Sequence, residues 1–321
     1  MITNNHQHLL HYITNLTTTH NTDNIARTKA YQEFYLKYPE IKWALIASIV
    51  SRNAGWNMTD LCLPPFQGIL SKKERDRLFM TYERANWLIF SDAYPQLLIY
   101  RFSKDFNQPL FHLLSKFNVS TFMINEWYYF WKSRDLNRLV NSLIINEQNL
   151  IQLPVIDQPF FKTHVFKAIP YKLQNILFMN AVLIPNLIGN IYGLYVHGFT
   201  NVDNRIEVGK KLAALIDIPS IRYELLDFIN SVEPTGSRHE YEQFLNLNLR
   251  RSSKLRDVYP VVTHQDIIRN DWYKRGGMKT KWLKKSNLSS KLEIGKSFYV
   301  KRKLLFAYYH IKKICKKDLY Q

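Results

Sequence analysis

Six polar residues set against apolar helical sequence are the side chains best placed to do chemistry in this 321-residue chain. Arg52 and Asn53 follow the run IKWALIASIV, Asp60 stands in the next stretch, and Arg84, Asn86 and Asp92 punctuate ERANWLIFSDA. Charges beside such sequence have to be paired if they are buried. Arg84 and Asp92 are eight residues apart, about 800° of helical rotation, which puts them within about 80° of each other. Arg52 is then placed to meet Asp60 or Asp92 where two helix ends converge. As an enzyme site, the arginines would hold a small anionic substrate while Asp60 or Asp92 served as acid or base. As structure, the same six would form a buried ion-pair network that fixes how the helices cross.

Other motifs offer less. His6, His8, His11 and His20 have no carboxylate or cysteine with them, so no metal is expected. His239-Glu240 opens like a zinc-peptidase helix but Gln243 stands where the second histidine belongs, and Gly295-Lys296-Ser297 lacks the earlier glycine of a phosphate loop, since position 290 is Ser290. Thr235-Gly236-Ser237-Arg238, at a helix start, could hold an anion through backbone N–H groups and Arg238. There is no Gly-x-Ser-x-Gly elbow, and Cys62 and Cys315 are the only cysteines, far apart and outside any Cys-x-x-Cys motif. No catalytic motif and no cofactor is expected.

The elements that must position these residues read as helices. Residues 1–22 suggest a short helix running into a polar loop. Asp23 can cap a helix that ends at Tyr38-Pro39. IKWALIASIV should be central and buried, with Gly55 closing it; residues 63–68 read as a loop. Ser71 and Glu74 have capping-box spacing and open a helix as far as Pro95. Further helices are expected at about 96–103, 108–117, 121–132 and 135–151. Asp203 starts another, and Ser237 with Glu240 suggests a second capping box. Val258–Val262 is the best strand candidate, weakened by Pro260. The fold class is therefore all-α: a compact, irregular multi-helix array with a basic C-terminal helical tail. Residues 1–22 form a polar N-terminus, 23–250 the main helical body and 251–321 the basic region. Residues 173–202 carry no charge, but Asn180, Pro185, Asn186 and Asn190 suit a buried segment better than a membrane span.

The charge is uneven. Residues 250–321 hold 20 Lys/Arg against 5 Asp/Glu, a net of +15 out of +18 for the chain. Within KSFYVKRKLLFAYYHIKKICKK, Leu304, Tyr308, Ile311 and Cys315 follow the 4-3-4 spacing of an apolar seam. Lys301, Arg302, Lys303, Lys312, Lys313, Lys316 and Lys317, with Arg238 from the body, are the candidate anion-binding residues. Such a helix can lie on an anionic membrane, meet nucleic acid phosphates, or dock its seam on the protein's own body.

AYQEFYLKYPEIKWALIASIVSRNAGWNMTDL at 30–61, GFTNVDNRIEVGKKLA at 198–213 and PTGSRHEYE at 234–242 resemble the YppC-like family of Bacillus and related bacteria. The resemblance implies a bacterial, cytosolic setting and brings no activity, cofactor or catalytic residue with it. The expected function is binding of a polyanionic surface, an anionic membrane or nucleic acid, by the basic C-terminal region. The expected location is cytoplasmic, with the inner face of the membrane as a peripheral site. An enzyme acting on a small anionic substrate at the Arg/Asp/Asn cluster is the alternative.

Overall fold

A run apolar on nearly every face is satisfied only by neighbours on all sides, and the computed structural model of the chain surrounds IKWALIASIV in that way. The structure describes residues 2–167, 181–247, 251–265, 269–288 and 292–318. Helix α3 (Lys42–Asp60) is their axis, with Trp43, Leu45, Ile49, Trp56 and Met58 at most 1% exposed. Before it come α1 (Ile2–His20) and α2 (Asn24–Lys37). After it come α4 (Pro64–Ile69), α5 (Lys72–Asp105), α6 (Thr121–Ser133), α7 (Leu136–Leu150), α8 (Val202–Ile216), α9 (Pro219–Ser231) and α10 (Gly295–Asp318). One core joins α2, α3, α5, α6, α7, α8 and α9, and Phe298 and Tyr299 of α10 belong to it.

The all-α expectation holds, with one small addition. Strands β1 (Ala181–Pro185) and β2 (Ile191–Tyr195) form an antiparallel hairpin within the uncharged stretch, whose residues 173–180 lie outside the described residues. Asn53 serves β1 from α3: its Nδ2 donates to the Leu183 carbonyl at 2.9 Å and its Oδ1 accepts from Leu183 N–H at 2.8 Å. Residues 292–294 cover β2, with Gly193 N–H donating to Leu292 O and Ile294 N–H to Ile191 O, and the chain passes from there into α10. Val258–Val262 is not a strand; Leu255–Val258 makes a helical turn. Among the described residues, no helix is long and apolar enough to cross a membrane.

Asp23 caps α2 through Ala26 N–H, and Ser71 with Glu74 forms the capping box that opens α5. Several boundaries differ from the sequence reading, each for a packing reason. The polar residues before Asn21 are helical through His20, and Thr14, Thr17, Thr18 and Thr19 satisfy their hydroxyls there on carbonyls four residues back. Gly55 does not end α3. It sits inside the helix against Gly236, whose Cα would stand 3.3 Å from an added Cβ, so it serves close approach instead of a left-handed turn. Residues 64–69 are helical where a loop was expected. Pro95 lies inside α5, which absorbs the separate helix expected at 96–103. A proline there costs about 3 kcal/mol, and the burial of Leu88, Phe90, Leu97, Leu98, Ile99 and Tyr100 around it outweighs that. Phe111–Phe117 is a tighter 3₁₀ turn. Ser237 is not the cap of a long helix: its hydroxyl bonds Ser252 O, and only His239–Glu242 is helical.

Candidate functional site

At 100° per residue, α10 has two apolar sides. Phe298, Tyr299, Arg302 and Leu305 face inward, all at most 9% exposed. Arg302 grips Asp60 with two parallel bonds, Nη1 to Oδ2 at 2.8 Å and Nη2 to Oδ1 at 2.9 Å. Arg238 Nε donates to the same Oδ2 at 2.7 Å. Burial would raise the Asp60 carboxyl, but the two guanidiniums outweigh it and hold the group below its ordinary value. Tyr299 adds a hydroxyl bond to Glu242 at 2.8 Å. Farther along, the Tyr309 ring lies where Gly68 of α4 leaves space: a Cβ on Gly68 would come within 2.2 Å of it.

Among the described residues, the opposite side has no such partners. Val300, Leu304, Tyr308, Ile311 and Ile314 are 58%, 61%, 54%, 61% and 60% exposed, and by helical rotation they form one stripe. Lys303 is exposed beside it. Lys301, on the other border, holds its ammonium 3.6 Å from the Tyr195 ring centroid. The side chains of Lys312, Cys315, Lys316 and Lys317 lie outside the described residues. Leu304, Tyr308 and Ile311 are therefore not the seam by which α10 docks. The docked side is aromatic and carries Arg302, a charge that hides it from any search for apolar spacing.

Arg238 and Arg302 are both turned inward onto Asp60, away from any anion outside the protein. Their burial and the facing carboxylate account for this: burial alone would lower the Arg238 and Arg302 pKa values, and Asp60 raises both. The Thr235–Arg238 turn does hold an anion, but it is the protein's own. Thr235 N–H donates to Glu240 Oε1 at 2.6 Å and Thr235 Oγ1 does so at 3.0 Å.

The six residues first singled out do not converge. Arg52 donates from Nε to Glu240 Oε2 at 2.5 Å and from Nη2 to Val232 O at 2.6 Å, so it meets neither Asp60 nor Asp92. Asp92 accepts from Gln96 at 2.6 Å and Asn146 at 2.7 Å, with Arg269 Nη1 at 3.5 Å. Arg84 donates to Gln265 O at 3.3 Å and lies over the Trp87 ring; Asn86 bonds Tyr82 O within its own helix. These are separate structural networks, and neither described cavity is lined by any of the six. Among the described residues, no group of three His, Cys, Asp or Glu side chains could hold a metal ion.

Two groups, the buried Glu83 and the half-buried Glu147, escaped the sequence reading. Glu83 takes both Arg27 Nη1 at 2.9 Å and Nη2 at 2.5 Å, with His264 Nε2 at 3.2 Å. Glu147 takes Trp43 Nε1 at 3.1 Å and Gln148 Nε2 at 2.9 Å, and burial pushes its carboxyl up to about 7. Spacing gives no signal for either, because Arg27, His264 and Trp43 lie tens of residues away in sequence.

The chain matches the sequence profile of a family described as "Protein of unknown function (DUF2515)" over residues 19–299. It is also 44% identical, over 310 residues, to "Uncharacterized protein YppC" of Bacillus subtilis (strain 168), a match covering 96% of this chain and 97% of that protein. The chain belongs to the DUF2515 family. No solved structure matches it. The DUF2515 profile ends at Tyr299, so it includes the first inward residues of α10, while the outward stripe from Val300 to Ile314 follows it.

Proposed function

We propose that this DUF2515 protein is a binding protein whose basic C-terminal region lies against a polyanionic surface, and that the surface is an anionic membrane. The observation that carries this reading is the outward stripe of α10 with lysines at its borders. An apolar stripe with cations beside it is the pattern of a helix lying in the interface plane of a bilayer, its apolar side in the acyl boundary. Five large side chains more than half exposed give about 1–2 kcal/mol each on entering lipid, and each lysine near an anionic leaflet adds about 1 kcal/mol. Nucleic acid would satisfy the lysines and leave the stripe in water, and only Tyr308 within it could stack on a base. The residues of an enzyme reading are each spent on structural pairs, which further favours the surface-binding role.

The test is cosedimentation of the full chain with phosphatidylglycerol vesicles and with phosphatidylcholine vesicles across a salt series. Binding to the anionic vesicles alone, weakened by salt and reduced at least tenfold in Leu304→Asp and Ile311→Asp, is expected. Both side chains are exposed, so both variants should keep the circular dichroism of the parent. Tighter binding to duplex DNA than to vesicles, unchanged in the two variants, would overturn the membrane reading in favour of nucleic acid.

A further inference from the structure

A groove of about 530 Å³ opens between the first half of α1 and the end of α5. It lies at the far end of α5 from α4 and α10: Phe79 packs near Leu70, whereas Phe102 lines the groove, and 23 residues of helix span about 35 Å. Its walls are Leu9 and Tyr12 on α1 with Phe102, Phe106 and Leu110 on the other side. Tyr12 meets Phe102 edge-on at 5.9 Å between centroids, and Phe102 stacks with Phe106 at 6.1 Å. Tyr12 and Phe106 are nonetheless 47% and 61% exposed. The walls are held in place: Asn107 takes a left-handed φ of 50°, Gln108 N–H donates to Ser103 O at 3.0 Å, and Leu110 is 3% exposed.

Few polar groups line this groove. Arg101 contributes a guanidinium, and His6, His8 and Gln108 contribute ring nitrogens and an amide; no carboxylate lines it. The nearest acid is Asp105, whose Oδ2 stands 3.6 Å from Arg101 Nε, outside hydrogen-bond reach. Ligand pockets commonly fall in this volume range, mostly apolar and with a few convergent polar groups. Aromatic walls offer no partner to a polar body, and a single arginine suits a single carboxylate through paired N–H donors. Because Asp105 already offsets part of that charge, a monoanion fits better than a phosphate dianion.

We infer that this groove binds a free, medium-chain carboxylate amphiphile, with its tail between Tyr12, Phe102 and Phe106 and its head on Arg101. The site is separate from the outward stripe of α10 and does not depend on it.

Calorimetric titration of the full chain with decanoate below its micelle concentration tests this, with decanol as the uncharged match. Saturable one-to-one decanoate binding is expected, weakened about tenfold or more, some 1.4 kcal/mol, in both Arg101→Gln and Phe106→Ser. It should be unchanged in Phe160→Ser, an exposed aromatic elsewhere, and in Leu304→Asp on α10. No saturable binding, equal binding of decanol, or loss in Leu304→Asp with none in the groove variants would overturn the assignment. Each substituted side chain is substantially exposed or at a rim, and unchanged circular dichroism confirms that a loss is local.

Discussion

Asp60 is the residue on which most converges. Two guanidiniums share it in a buried setting, so Asp60→Asn would leave two arginines under-compensated. We expect a loss of about 3–5 kcal/mol, measured by urea unfolding. Its carboxyl is held below the ordinary value, so it contributes stability above that value, and the contribution is lost as pH falls through the lowered one. Glu147 runs the other way. Burial lifts it from 4.5 to about 7, so the unfolded chain ionises first and stability falls as pH rises between the two. Glu147→Gln should therefore be more stable than the parent at pH 8, by about 1–3 kcal/mol given its partial exposure, and indistinguishable at pH 4. A parallel offset at both pH values in thermal melts would show that the carboxyl is not the cause.

At the scale of elements, caps and apolar runs were legible and long-range relief was not. Asp23, the Ser71–Glu74 box and the burial of α3 could be read because each signal is local: a side chain three residues from the backbone it caps, or a run too apolar for any surface. Pro95 and Gly55 misled for the opposite reason. Their local meaning is to stop a helix, and both were overridden by contacts that spacing does not encode, dense packing around Pro95 and the Gly236 backbone beside Gly55. The same blindness hid the docked side of α10, since only the fold reveals that Arg302 is paired with Asp60, 242 residues before it. Docking of α10 on α4 gives a direct test. Gly68→Val would place bulk where the Tyr309 ring sits. It should loosen the second half of α10, raising amide hydrogen exchange there while the core of α3 stays protected; equal exchange in parent and variant would mean that Tyr309 simply moves aside.

For the molecule as a whole, the basic region is threaded across the body. Arg256 bonds Asp23, His264 reaches Glu83, Asp271 caps Thr121, Trp282 donates to Asp203, and Arg302 closes on Asp60. Each contact joins parts of the chain separated by 79 residues or more. A chain ending at Gly276 would keep the first three of these contacts but lose those of Trp282 and Arg302 along with its lysines. We expect its melting transition to drop and broaden in calorimetry, so that surface binding is better dissected with outward substitutions than with truncation. The uneven charge was visible in the sequence, but its distribution was not: Arg302 and Arg238 serve the interior, while Lys303 is exposed beside the outward stripe.

The shared Asp60 also links the two ends of this account by mass action. The inner half of α10 is seated only while the body is folded, so a surface that captures the outer half in that geometry selects native molecules. Ligands that prefer the folded state raise its stability in proportion to RT ln(1 + [L]/Kd). On the proposed membrane reading, anionic vesicles should consequently lift the melting temperature of the parent and leave that of Ile311→Asp where it was, so that the bound surface would act as a folding cofactor.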